Sequence, residues 1–223
     1  MWTALLSKEL RECALYAGLA LLAQTQVLGS GMDLPLIPII SSPRGTEIPF
    51  LPYYGETNRE TTFVCIAIIL AIVMGLHQTV WESWRQTTLF LLHRPMPRRQ
   101  IFLGKILAGV LLLLLTTALP LLIYCLWAAT PGTHASPFYW DMAESWWRDV
   151  LMALICYLGA FLAGLRPARW IGSRTWPFIG AFILAIGLHF AAAPSLVIYA
   201  GFLLLAAGLL TSILNTARLR EFP

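Results

Sequence analysis

Ile101-Phe-Leu-Gly-Lys-Ile-Leu-Ala-Gly-Val-Leu-Leu-Leu-Leu-Leu-Thr-Thr-Ala-Leu-Pro-Leu-Leu-Ile-Tyr-Cys-Leu-Trp-Ala128 carries a single charged side chain, Lys105. Crossing a hydrocarbon core of about 30 Å takes roughly 20 mostly apolar residues in α-helix, and this run exceeds that. It therefore reads as a membrane span. Lys105 lies one turn in, where its long stem would let the ammonium snorkel to the interface.

Similar runs recur on both sides of it. Residues 13–29 and 62–80 precede it, and residues 150–165, 177–193 and 195–214 follow, with Pro177 expected at the first turn, where a missing N–H costs nothing. In a bilayer every backbone polar group must be satisfied within the protein, so runs of this length imply helices. The expectation is an all-α membrane protein with about six spans, in one domain covering 1–223. The composition agrees: 58% of residues are hydrophobic and 12% charged, against about 25% charged in a soluble domain.

The remaining segments differ in character. Residues 1–12 place Leu5, Leu6 and Leu10 near one helical face and Lys8, Glu9, Arg11 and Glu12 elsewhere, as in a short helix at the bilayer interface. No small-residue cleavage pattern follows it, so it reads as retained. Residues 30–61 hold five prolines and read as a long outer loop. Residues 130–148 hold Phe138, Tyr139, Trp140, Trp146 and Trp147, an interfacial aromatic belt. The connector from Ala191 to Ser195 is so short that 177–214 reads either as two spans or as a hairpin that re-enters the membrane.

Basic residues orient the chain. Lys8, Arg11, Arg85, Arg94, Arg98, Arg99, Lys105, Arg166, Arg169, Arg174, Arg218 and Arg220 fall on one side, and only Arg44, Arg59 and Arg148 on the other. The positive-inside rule then puts both termini in the cytoplasm. The acids Asp33, Glu47, Glu56, Glu60, Asp141, Glu144 and Asp149 fall outside. Because the +4 net charge is distributed in this way, nucleic acid is not an expected partner.

Covalent chemistry has little to stand on. Cys13, Cys65, Cys125 and Cys156 show no metal-ligand spacing, and neither HExxH nor GxSxG occurs. No metal or cofactor is expected. Gln24, Gln26, His77 and His189 lie inside spans, where polar groups are costly and often functional. They are candidates for a translocation path, or for interhelical hydrogen bonds. A membrane hydrolase would have to use His189 with Ser173 or Ser195. A scaffold or sensor component needs no site at all.

The segment between the second and third spans is the richest. Residues 81–92 can form an amphipathic helix with Trp81, Trp84, Thr88 and Leu92 along one seam and Glu82, Arg85 and Gln86 elsewhere; Pro95 and Pro97 end it before Arg98 and Arg99. Leu91-Leu-His-Arg-Pro-Met-Pro-Arg-Arg-Gln-Ile-Phe-Leu-Gly-Lys105 resembles the stretch of ABC-2-type transporter permeases that runs Leu-Leu, two residues, Pro, two residues, Arg, then an apolar stretch with Gly-Lys. Lys8-Glu-Leu-Arg-Glu12 resembles the interfacial helix with which those permeases begin.

The resemblance implies an exporter's membrane subunit, paired with a second permease copy in the lipid bilayer and with a separate cytosolic ABC ATPase. Glu82, Trp84, Arg85, Leu89, Leu92, Arg98 and Arg99 would then form the ATPase-coupling surface. With no GxxxxGK[ST] in this chain, the ATPase site must be supplied in trans. One departure is clear: many of these permeases carry re-entrant helices between their last two spans, where this chain has only the short connector.

Overall fold

The computed structural model describes residues 2–31, 57–81, 97–132, 138–166 and 171–219, and all regular structure among them is helical. Most of the 30–61 segment lies outside the described residues. So do Glu82, Trp84, Arg85, Leu89 and Leu92.

Helix α1 runs Trp2–Gly31 without a break. The expected interfacial helix and first span are therefore one element. Leu5, Glu9, Cys13, Ala17, Ala20, Gln24 and Leu28 are all buried, at spacings of three and four, so a single face runs along the whole helix. Leu15, Leu19 and Leu22 cover the opposite, exposed face. Glu9, assigned to a polar face on the charge pattern, belongs instead to the packed seam.

Helix α2 spans Thr57–Leu76 and continues as a π-turn over His77–Trp81. Helix α3, Arg98–Thr116, and helix α4, Ala118–Ala129, divide the opening stretch at Thr117. Pro120 explains the division: its ring cannot donate to the Thr116 carbonyl and crowds it, so the helix re-forms with an offset. The Thr116 and Thr117 hydroxyls turn back onto the Leu112 and Leu113 carbonyls, which keeps polar groups bonded at this depth.

A 3₁₀ turn over Trp140–Ala143 leads into α5, Glu144–Leu165, followed by α6, Ile171–His189, and α7, Ser195–Leu219. Helix α6 starts earlier than expected and takes Pro177 into its interior. Helix α5 also starts earlier, which places Asp149 inside it, buried, and not in an outer loop.

Among the described residues four stretches are long and apolar enough to cross a membrane: Arg59–Trp81, Arg98–Ala129, Trp140–Leu165 and Ser195–Arg218. Helices α1 and α6 pack in the same bundle beside them. Helix α5 is the axis, contacting α2 on one side and α6 and α7 on another, and it is the most buried of the four. Helix α1 packs on α3 and α2.

Close approach explains the α2–α5 contact. A Cβ on Gly75 would lie 2.8 Å from the Tyr157 carbonyl oxygen and 2.9 Å from the Phe161 nitrogen, distances no side chain tolerates. Farther along, Gly164 leaves room for Thr79. Large apolar side chains such as Ile69, Leu115, Leu126, Ile183 and Leu203 point outward. In water this would be a severe liability, whereas against lipid it is the expected surface.

The contacts also define two ends of the bundle. One end gathers the starts of α1, α3 and α6 and the ends of α2, α5 and α7, together with Lys8, Arg11, Arg98, Arg99, Arg166, Arg174 and Arg218. The other gathers the end of α1, the starts of α2, α5 and α7, and the His189 end of α6, where Arg59 and Arg148 are the basic residues among those described. Each end of the α5–α6 pair is fastened by an arginine. Arg174 of α6 donates to the Ala163 and Gly164 carbonyls that end α5, at 3.1 and 2.7 Å, and Arg148 of α5 donates to the His189 carbonyl that ends α6, at 3.2 Å. Cations at helix C-termini satisfy orphan carbonyls and oppose the negative end of the dipole.

Candidate functional site

The basic end encloses a buried polar knot. Lys105 sits in α3 two turns from its start, and its side chain is 2% exposed; Glu9 of α1 is 0% exposed. Lys105 Nζ lies 3.5 Å from Glu9 Oε1. The ammonium does not snorkel, because a carboxylate and a carbonyl hold it inside the bundle.

Gln78 completes the arrangement from the π-turn of α2. Its Nε2 donates to Glu9 Oε2 at 3.4 Å and to the Lys105 carbonyl at 3.2 Å, while Lys105 Nζ donates back to the Gln78 carbonyl at 3.3 Å. The Tyr157 hydroxyl, fully buried on α5, donates to Gln78 Oε1 at 2.7 Å. A single amide thus links α1, α3 and α5 to α2. The widened π-turn, a backbone feature frequent at functional sites, accompanies the inward placement of Gln78 and Thr79. Gly109, one turn beyond Lys105, makes room for the Tyr157 ring, since any Cβ there would overlap the hydroxyl.

Burying two ions is costly unless they are paired and hydrogen-bonded, and here both conditions hold. Lys8 Nζ, 3.5 Å from Glu9 Oε1, adds a second cation from the more exposed side. Gln78 and Lys105, which bond reciprocally, stand on either side of segment 82–97 in the sequence.

The opposite end holds a second polar group. Glu144 and Arg148, one turn apart on α5, pair through Arg148 Nη2 at 2.6 Å and Nε at 3.2 Å. Ser195, at the start of α7, faces the Glu144 carboxylate. Asp149 Oδ1 lies 3.4 Å from His189 Nδ1.

The sequence candidates fall in different places. Gln24 is buried and donates to the Phe63 carbonyl at 3.0 Å, an interhelical bond from α1 to α2. Gln26, two residues on, is half-buried. His77 opens the π-turn, its ring edge-on to Tyr16 at 5.2 Å and stacked on Trp81 at 6.1 Å. His189 closes α6 beside Asp149. Thus His77 adjoins the knot, and Gln24 and His189 belong to the other end. Arg98 and Arg99 are exposed in the first turn of α3.

Sequence reasoning missed Glu9, Gln78 and Tyr157 as partners of Lys105. One signal was available, since Glu9 recurs with Leu5 and Cys13 at intervals of four, the spacing of one helix face. Among the described residues no three His, Cys, Asp or Glu side chains are grouped to hold a metal ion. No family model matches this chain, and no curated protein matches it significantly.

Proposed function

We propose that this chain is the permease subunit of an ATP-driven exporter of the ABC-2 type, with six spans, both termini in the cytoplasm, a second permease copy beside it, and a separate cytosolic ATPase. The observation that carries the reading is the knot at Glu9, Gln78, Lys105 and Tyr157. It lies where segment 82–97, which holds the permease-like motif, leaves α2 and re-enters α3.

Gln78 and Lys105, which stand on either side of that segment in the sequence, are bonded to each other and to α1 and α5, so a push delivered through it would pass to four helices together. Such a linkage suits a machine in which ATPase closure shifts the membrane helices as rigid bodies. The gathering of basic residues at the same end supports a cytoplasmic position for the knot and the segment. Glu82, Trp84, Arg85, Leu89 and Leu92 would enter a groove of the ATPase, with Arg98 and Arg99 at its rim. Transport, on this reading, is mechanical work done on packing, with the nucleotide held by the partner.

Co-expression with a Walker-A ATPase encoded beside this chain, followed by affinity capture through this chain, tests the pairing, and the lack of any such neighbouring gene counts against it. Capture by the wild type and its loss on replacing Glu82 and Arg85 by Ala are the expected results. Failure of the wild type to capture the ATPase, or equal capture by the double variant, removes the reading.

A further inference from the structure

We propose that Asp149 and His189 form a proton-binding site at the less basic end of the bundle, with one proton held between carboxylate and imidazole. Asp149 lies in the second turn of α5 and its side chain is 2% exposed, whereas His189 at the end of α6 is 15% exposed. Asp149 Oδ1 and His189 Nδ1 are 3.4 Å apart. Asp149 Oδ2 and His189 Nδ1 are buried with no hydrogen-bond partner.

Charged groups of α2 and α5 surround the pair, Glu60 acting on both members and Arg148 on His189. On α5, Arg148 is adjacent in sequence, but its guanidinium is spent on the Glu144 carboxylate and the His189 carbonyl. Glu144 is in turn engaged by Arg148 and Ser195. On α2, Glu60 acts electrostatically on both Asp149 and His189, and it adds negative charge. On α7, Tyr199 interacts with Glu144 and Arg148. Arg59 of α2 is the other cation at this end, and among the described residues His189 is the basic side chain within salt-bridge distance of the Asp149 carboxylate.

A bare carboxylate in such a place has lost its water and gained neither donor nor counter-ion, which costs several kcal/mol. One proton removes the problem in either of two ways. It sits on Asp149 and is donated to the Nδ1 lone pair, or it sits on Nδ1 of an imidazolium and is donated to Oδ1. The proton count is the same in both, and the pair is neutral overall. Removal of that proton leaves an unneutralised charge facing Glu60 and weakens the contact between α5 and α6. Because His189 is partly exposed at the bundle end, its ring is the route by which a proton enters and leaves. This site stands whether or not the chain works with an ATPase.

The test uses the full chain in lipid nanodiscs, with 15N-labelled histidine and 13C-labelled aspartate followed by NMR as pH is varied. His189 is assigned by replacing His77, His93 and His134 in turn. The expected result at neutral pH is either a protonated Asp149 carboxyl or a His189 imidazolium, with the two signals changing together on titration and that coupling lost in Asp149→Asn and in His189→Gln. An ionised Asp149 beside a neutral His189 at neutral pH in the wild type overturns the proposal, and needs no variant to fold. Unchanged His189 titration in Asp149→Asn overturns it equally.

Discussion

Lys105 and Glu9 are each tolerable in the bundle only because the other is present. Replacing Lys105 by Met leaves Glu9 buried without its inner cation, and breaking a buried pair from one side costs about 3–5 kcal/mol. Removing both charges, as Glu9→Leu with Lys105→Met, recovers most of that loss, because an apolar pair of similar volume has no ions to desolvate. Unfolding in mixed micelles measures both. A double variant as unstable as the single one would show that stem packing, and not charge, is what the site requires. At this scale the sequence was least informative. Lys105 one turn into an apolar run looks the same whether its head group escapes to the interface or meets a carboxylate ninety-six positions earlier. Glu9, inside a charged stretch, looks solvated until the helix carrying it proves to be packed along its whole length. Asp149 was placed in the outer loop for the same reason, so His189 was recognised as a candidate while its partner was not.

Elements were far more legible, because an apolar run of spanning length has few alternatives to a helix. Their ends were not. Pro177 was expected to start a helix and instead lies within α6, while Pro120, inside a run that hydropathy alone makes continuous, offsets α3 from α4. What decides these cases is whether neighbouring helices support the weakened backbone. The glycines separate in the same way. Gly164 of α5 is occupied on its open side by Thr79, whose hydroxyl is bonded to the Gly75 carbonyl at 2.8 Å, and a Cβ there would also lie 3.2 Å from Val80 Cγ2. Gly164→Ala forces apart the α2–α5 contact at the π-turn, and overpacking of this kind costs about 1–3 kcal/mol. Gly208 of α7 has nothing near its missing Cβ, so Gly208→Ala should be neutral or stabilising by up to about 1 kcal/mol. Thermal unfolding of the two variants side by side checks the contrast, and a Gly164→Ala protein as stable as the wild type would mean that the two helices do not meet as closely as described.

At the scale of the whole molecule, the charge asymmetry read along the chain and the sorting of helix ends seen in three dimensions are independent statements that agree. The first counts arginines and lysines by segment, whereas the second follows from which side chains touch: Glu9 with Lys105, Thr79 beside Gly164, Ser195 on Glu144. On the proposed topology the two ends of the described chain lie on one face of the membrane and the Trp140–Ala143 turn on the other. With Cys65, the exposed native cysteine, first replaced by Ala, single cysteines at Ser7, Asp141 and Arg218 test this. A membrane-impermeant maleimide applied to intact cells should label Asp141→Cys, and should reach Ser7→Cys and Arg218→Cys only after the inner face is opened. Labelling of Ser7 and Arg218 from opposite faces would break the described packing, since α7 could then not run from Glu144 to the basic end. Labelling of both from outside would preserve the bundle but invert it, placing segment 82–97 beyond the reach of any cytosolic ATPase and ending the exporter reading while leaving the knot itself intact.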